Sequence, residues 1–447
     1  MSGTPSTAPR NLIVSALTAF AAFGAFWGVW GASVPRVQQQ AHVTDGRLGV
    51  ALLFVAAGAL PAMLLVGRAL DRWGLRTAAL LVMALGTAGV AMALTARNLL
   101  GLCIGLSLVG ACSGAADVAM NAVAGRAEAL SCRPVITRAH GVFSTLVVLA
   151  GLGTGLASAA SLPLAVPFVS VAALSLVAGA TMLRTLPSGP WRPGGAGRTA
   201  TDATPPVGPR LLPLLLVGAL GALAFATENA HQSWSAVFAR EELHAGPGLA
   251  AVAPAVFAGT VAATRFSIGG LKAAHARTVL LAGALAATTG TVVVAAAPTL
   301  LVAALGLVVA GAGTAVLFPT LIGIVSRNVE ESRRGRAMST VTGVAYLGYL
   351  LGPVYVGLWA DADGLRAALG AVAALAAALL LLTQLLLRLT GFDASTYRGR
   401  GRYRRRPTVL PTALPSAVAP EPWLTSDKLA SPRCQNGHGT STGREPS

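Results

Sequence analysis

Charge is scarce in this chain. Only 11% of its 447 residues are Asp, Glu, Lys or Arg, against about 25% in soluble domains, which excludes an ordinary water-soluble globular protein. Lysine is almost missing, with only Lys272 and Lys428, so arginine carries the net charge of +17. Those arginines fall in short loops between apolar runs, which argues against nucleic acid as a partner. There are four cysteines, Cys103, Cys112, Cys132 and Cys434. None has C-x-x-C or metal spacing, so neither a disulfide framework nor a metal site is expected. No G-x-x-x-x-G-K-[ST] loop occurs, which excludes coupling to ATP hydrolysis within the chain. No Ser/His/Asp arrangement rises above chance. The expectation is a non-enzyme with no catalytic residues and no cofactor.

Apolar residues are abundant. They make up 54% of the chain, and the mean hydropathy is +0.68. Repeated runs of about 20 residues are each long enough for a transmembrane helix. Twelve spans are expected, at about 11–34, 48–67, 77–95, 98–124, 140–160, 164–184, 211–238, 248–268, 278–297, 299–324, 337–359 and 366–390. The tightest connections are 95–98, 160–164 and 297–299. The first ten residues are polar and the first run is long enough to span, so it reads as a helix and not as a cleaved leader.

With both termini in the cytoplasm, the inner segments before the tail hold eighteen Arg and Lys residues and the outer ones five. That imbalance sets the orientation by the positive-inside rule. The expected organisation is a cytoplasmic N-terminus (1–10), a six-helix bundle (11–184), a Pro/Gly/Thr-rich cytoplasmic linker (185–210), a second six-helix bundle (211–390) and a basic cytoplasmic tail (391–447). The turn Gly67-Arg-Ala-Leu-Asp71-Arg72-Trp-Gly74-Leu-Arg76-Thr77 follows span 2. A worn copy, Gly269-Gly270-Leu-Lys272-Ala-Ala-His275-Ala-Arg277-Thr278, follows span 8. Equivalent turns at equivalent places suggest a duplicated bundle.

Twelve spans in six-plus-six with a G-x-x-x-D-R-x-G-x-R turn after span 2 resemble the major facilitator superfamily. The turn matches that family's signature at Gly67, Asp71, Arg72, Gly74 and Arg76. Within the family, Asp117-Val-Ala-Met-Asn121 followed by Glu128 is similar to the branch of fucose permease and its YbjJ-type relatives. So are His140 to Ser144, Thr227-Glu228-Asn229 with Trp234 to Phe238, and Tyr346 to Pro353. Span 1 lacks the carboxylate that fucose permease carries there. The resemblance implies an all-α membrane protein, with two pseudo-symmetric bundles alternating access to a central site. It also implies a conformational role for Asp71, latching the two bundles in one state. An anion there would complement the positive end of span 11 near Ala337, with Arg72, Arg76, Glu330, Glu331 and Arg333 able to form the surrounding ion network.

The residues themselves point to the site. An ionised carboxylate at the bilayer centre costs about 2.5–3.5 kcal/mol on insertion scales, so Asp117 must face a cavity or a partner. Asn121 lies one turn further along the same face. Together they suit a polyol or sugar-like solute, with Asp117 taking up and releasing a proton. The competing reading is a structural Asp neutralised by a neighbouring helix. Span 7 offers Glu228, Asn229, His231 and Gln232, which cannot all face lipid. These are expected opposite Asp117, in the outer half of the span or already in the headgroup region. Trp27 and Tyr346 are the aromatics expected to stack on the solute, with Phe23 and Phe26 as packing. Gly151, Gly153 and Gly155 permit close helix approach. The expected protein is a monomeric, proton-coupled secondary transporter of the inner membrane, in contact with lipids. The alternatives are a proton-driven exporter of drugs or metabolites and a non-transporting membrane sensor.

Overall fold

The computed structural model describes residues 8–131, 133–187, 189, 211–268 and 275–390. Most of the expected linker, the worn turn at 269–274, the tail from 391, Cys132 and Cys434 lie outside the described residues, as do the side chains of Glu331 and Arg333. The described chain is helical: α1 (Ala8–Ala41), α2 (Asp45–Trp73), α3 (Arg76–Thr95), α4 (Leu99–Ser131), α5 (Val135–Ala159), α6 (Ala165–Thr185), α7 (Leu211–Glu241), α8 (Val252–Ile268), α9 (Ala276–Ala295), α10 (Leu300–Asn328) and α11 (Glu331–Thr390), with a 3-10 turn at Leu249–Ala251. Eleven of these helices are long and apolar enough to cross a membrane. Their outward faces suit lipid, since Leu64, Leu100, Leu156, Leu301 and Leu381 are each at least 70% exposed. Water would not tolerate such a belt.

Several helices outrun their apolar stretches. The 34 residues of α1 extend for about 50 Å, well past a hydrocarbon core of about 30 Å. Polar Gln38 to Gln40 therefore remain helical, beyond the expected end at 34. The expected loop near 360–365 shrinks to one residue, Gly364, at φ 85° and ψ 166°. Glycine adopts that backbone without steric cost. The Tyr355 hydroxyl donates to the Ala371 carbonyl at 3.4 Å, whereas sixteen residues of straight helix would span about 24 Å. The long element therefore folds back at Gly364 into two arms.

The tight connections fall where expected, and those at 95–98 and 297–299 carry side-chain caps. The Asn98 side chain accepts from the Gly101 amide at 2.8 Å, and Thr299 accepts from the Val302 amide at 3.4 Å, both N-caps. At the helix ends beside them, Gln40 Nε2 donates to the carbonyls of Ala93 and Ala96. Arg366 Nη1 does the same for Ala295 and Ala297, placing positive charge at the negative end of α9. Glu128, part of the branch motif, accepts from the Ile136 amide at 3.0 Å and caps α5.

Within α1–α6, α1 packs on α5 and α6, α2 on α4, and α3 on α4 and α6; within the rest, α7 packs on α11, and α10 on α8 and α9. The two sets meet where α2 touches α11, α5 touches α8, and α1 touches α7. These seams concentrate at the end carrying loops 42–44, 160–164 and 242–248, called here the closed end. A Cβ on Gly49 would fall 2.8 Å from the Pro353 oxygen, one on Gly357 2.6 Å from the Asp45 oxygen, and one on Gly155 2.7 Å from the Gly248 oxygen. Thr44 Oγ1 also donates to Asp361 Oδ2 at 2.9 Å. Of the three span-5 glycines expected in close contacts, only Gly155 makes one that excludes a side chain. Gly151 has ordinary contacts, and Gly153 faces open space.

Buried side chains follow the same division. At the closed end one core joins α1–α6 to Trp234, Phe238, Phe257, Leu307 and Leu369. At the opposite, open end, α7–α11 keep a separate core that includes Leu214, Val217 and Leu220 with Leu280, Leu321 and Val341.

Candidate functional site

Between the two helix sets lies a cavity of about 1150 Å³. Trp27 and Trp30 of α1, Asp117 of α4, His140 of α5, Asn229 and Gln232 of α7, Arg265 of α8, and Tyr346 and Tyr349 of α11 line it. Much of the remaining wall is apolar, including Val55, Phe143, Val147 and Phe225.

Asp117 reaches the cavity, as expected. Asn121 does not join it at the surface but supports it, donating from Nδ2 to Asp117 Oδ1 at 3.1 Å and to its own helix at the Asp117 carbonyl at 2.9 Å. Across the space, Tyr346 and Tyr349 of α11 line the same cavity. Tyr346 is 41% exposed and stacks edge-on with Phe225, with centroids 5.5 Å apart. Trp27 stands edge-on to Phe26 at 5.6 Å.

Glu228 is placed differently from expectation. It is only 6% exposed and stands behind the wall, accepting from Arg265 Nη2 at 2.9 and 3.1 Å. Gln232 Nε2 adds a longer contact of 3.4 Å to the same carboxylate. Counted among the inner charges, Arg265 in fact lies thirteen residues into α8, about 20 Å along the helix axis. Its side chain is 45% exposed, and among the described residues its Nη1 has no hydrogen-bond partner. The signal available in the sequence was an arginine inside an apolar run, with a carboxylate inside the run before it.

Prolines explain the rest of this polar wall. Pro353 has no N–H, so the Tyr349 carbonyl four residues earlier loses its helical donor. Asn229 Nδ2 donates to that carbonyl at 2.5 Å, and Ser233 Oγ donates to Asn229 Oδ1 at 3.0 Å. Pro319 likewise frees the Ala315 carbonyl, to which Arg265 Nε donates at 3.4 Å. Side chains on α7 and α8 thus satisfy the carbonyls that prolines expose on α11 and α10, as apolar surroundings require.

His231 turns into the core, where it is 1% exposed, meets Thr291 Oγ1 at 2.9 Å, and lies beside Phe257. Trp234 is fully buried. His140, Phe23, Trp30 and Tyr349 join the wall although the sequence reading did not single them out as site residues. His140 and Arg265 line the same cavity.

At the open end Asp71 and Arg72 are exposed, and among the described residues the Asp71 side chain makes no hydrogen bond or ion pair. Arg76 Nε donates to the Leu186 carbonyl at 3.1 Å. Gly74 has φ 79°, and a Cβ there would strike the Gly189 oxygen, so its glycine is required twice over. Gly67 faces open space, and packing gives no reason for it. Helix α11 starts at Glu331, six residues before the expected Ala337.

The Major Facilitator Superfamily family model matches residues 15–273 and 234–432. The chain belongs to the Major Facilitator Superfamily. An uncharacterized MFS-type transporter of Yersinia pestis is 29% identical over 369 residues, covering 81% of this chain and 92% of that protein. Two solved structures share the fold. One is a bacterial homologue of the human lysosomal transporter Spinster, in an inward-facing and occupied conformation, with TM-score 0.67, 16% identity and coverage of 86% and 98%. The other is the nucleoside transporter NupG, with TM-score 0.66, 13% identity and coverage of 86% and 100%. As a superfamily member this chain is a multi-pass membrane transport protein and not an enzyme.

Proposed function

We propose that this protein is a monomeric secondary transporter of the inner membrane that moves a small polar, sugar-like solute by alternating access, coupled to protons. In this reading the arms of α11 on either side of Gly364 count as two spans. That makes twelve, in six-helix bundles joined by the 185–210 linker, with both termini cytoplasmic. The cavity then opens to the cytoplasm. The branch it resembles is that of fucose permease.

One observation carries the proposal: a single cavity, shut at one end, sets Asp117 of the first bundle against an aromatic and amide-bearing wall of the second. Asp117 and Glu228 are the proton-coupling candidates. Asn229, Gln232, Trp27 and Tyr346 offer amides and ring faces to a hydroxylated solute. Asp71, exposed and without a side-chain partner among the described residues, fits a latch that engages only when the open end closes.

The test is flux in proteoliposomes under an imposed pH gradient, using a solute found by thermal-shift screening. Asp117→Asn should abolish gradient-driven accumulation; intact coupling would overturn the assignment. The largely apolar remainder of the wall favours a second reading, export of amphipathic compounds. Drug sensitivity of a deletion strain, with no solute uptake lost, would select it.

A further inference from the structure

A second, smaller pocket of about 260 Å³ lies at the closed end, across the seam between the two helix sets. Arg36, Gln39, Ser158 and Ser161 line it from α1 and from α5 with its following turn, and Arg240 lines it from α7. Both guanidinium groups are anchored by neutral partners. Arg36 donates to Ser158 Oγ at 3.2 Å and to the Leu162 carbonyl at 2.8 Å, and Arg240 Nη1 donates to the Ala245 carbonyl at 3.0 Å. Among the described residues neither forms an ion pair with a carboxylate. Each anchors a turn that contains a non-glycine residue in the left-handed region, Ser161 at φ 57° and His244 at φ 50°. Such backbone persists only where its surroundings enforce it.

Two like charges sharing one pocket across a seam repel each other and so oppose closure. An anion between them reverses that sign, and guanidinium forks with hydroxyl and amide neighbours suit the oxygens of a carboxylate or phosphate. We propose that this pocket is a binding site for a small oxyanion, phosphate-like in chemistry, which bridges Arg36 and Arg240 and holds the closed end shut. It is separate from the central cavity and independent of which solute that cavity carries.

The test uses the full-length protein in detergent, titrated with inorganic phosphate at constant ionic strength while thermal unfolding is followed. A saturable rise in midpoint is expected in the wild type. Arg240→Gln should weaken the apparent affinity by roughly tenfold, the loss of one charge-assisted contact. Gln39→Glu avoids both arginine anchors and supplies a fixed carboxylate. It should raise the starting midpoint and remove the phosphate response. A second arm compares anionic with zwitterionic lipid nanodiscs in the absence of phosphate. Stabilisation there, with the same dependence on both variants, assigns the oxyanion to a lipid headgroup. The proposal fails if neither phosphate nor anionic lipid stabilises the protein. It also fails if the stabilisation persists unchanged in Arg240→Gln and Gln39→Glu, which would put the anion elsewhere on this strongly basic chain.

Discussion

The two walls of the central cavity carry similar side chains under different obligations. On the α7–α8 wall, Glu228 is bound to Arg265, Asn229 to the carbonyl freed by Pro353, and Arg265 also to the carbonyl freed by Pro319. On the α4 wall, Asp117 has Asn121 as its side-chain hydrogen-bond partner and otherwise faces the cavity. A polar residue in an apolar helix has to be weighed against prior claims on it, and in this wall prolines are the source of two such claims. Of the two carboxylates, Glu228 is already engaged in an ion pair, and Asp117 opens directly onto the cavity.

Substitutions sharpen or break that contrast. The largest functional effect is expected from Asp117→Asn: loss of gradient-driven transport, with the unfolding midpoint moving by no more than about 2 °C. A collapsed midpoint would make Asp117 as structural as the opposite wall and end the distinction. Arg265→Gln should cost about 2–3 kcal/mol of stability, below the roughly 3–5 kcal/mol of a fully buried broken pair because the guanidinium is half exposed. Adding Glu228→Gln should recover most of it, as read by thermal or denaturant unfolding. If the double variant is as unstable as the single one, the ion pair is not what Arg265 contributes.

Asn229→Ala should cost about 1 kcal/mol. In a Pro353→Ala background, where the Tyr349 carbonyl regains a helical donor, the same change should cost about 0.5–1 kcal/mol less. An additive cycle would refute the claim that Asn229 serves the proline. The smallest effect belongs to Tyr346→Phe, which keeps the ring in the cavity. Stability should change by less than about 0.5 kcal/mol, and solute affinity, measured by isothermal titration, should fall by no more than about threefold.

The helices were legible because lipid imposes a simple rule of length and hydropathy. Even the terse breaks at Arg97-Asn98 and Pro298-Thr299 were readable. The polar overhangs of α1 and α2 were not, since helices continue beyond the hydrocarbon. Asp117 and Tyr346 could be placed in the cavity because a carboxylate and an aromatic motif stood out from an apolar background. Arg265 is not legible as a wall residue because positive charge near a span end looks topogenic when its partners in space are distant in the chain. Asn229 was found for its polarity, but the carbonyl it serves lies 120 residues away, and the pairing emerges only when α7 and α11 pack.

The asymmetry of the two ends also has an electrical meaning. Where water enters the cavity from the open end it brings bulk potential inward, so a membrane voltage would fall chiefly across the glycine-tight plug at the closed end. A charge on Asp117 then sits electrically almost at the potential of the open side. Under the proposed alternating access the cavity would change sides, and the same charge would then cross most of the field without moving far itself, a transfer worth about 2.3 kcal/mol per 100 mV. The thin seam around Gly49, Gly155 and Gly357 is, in these terms, the capacitor across which a proton-coupled cycle would do its electrical work.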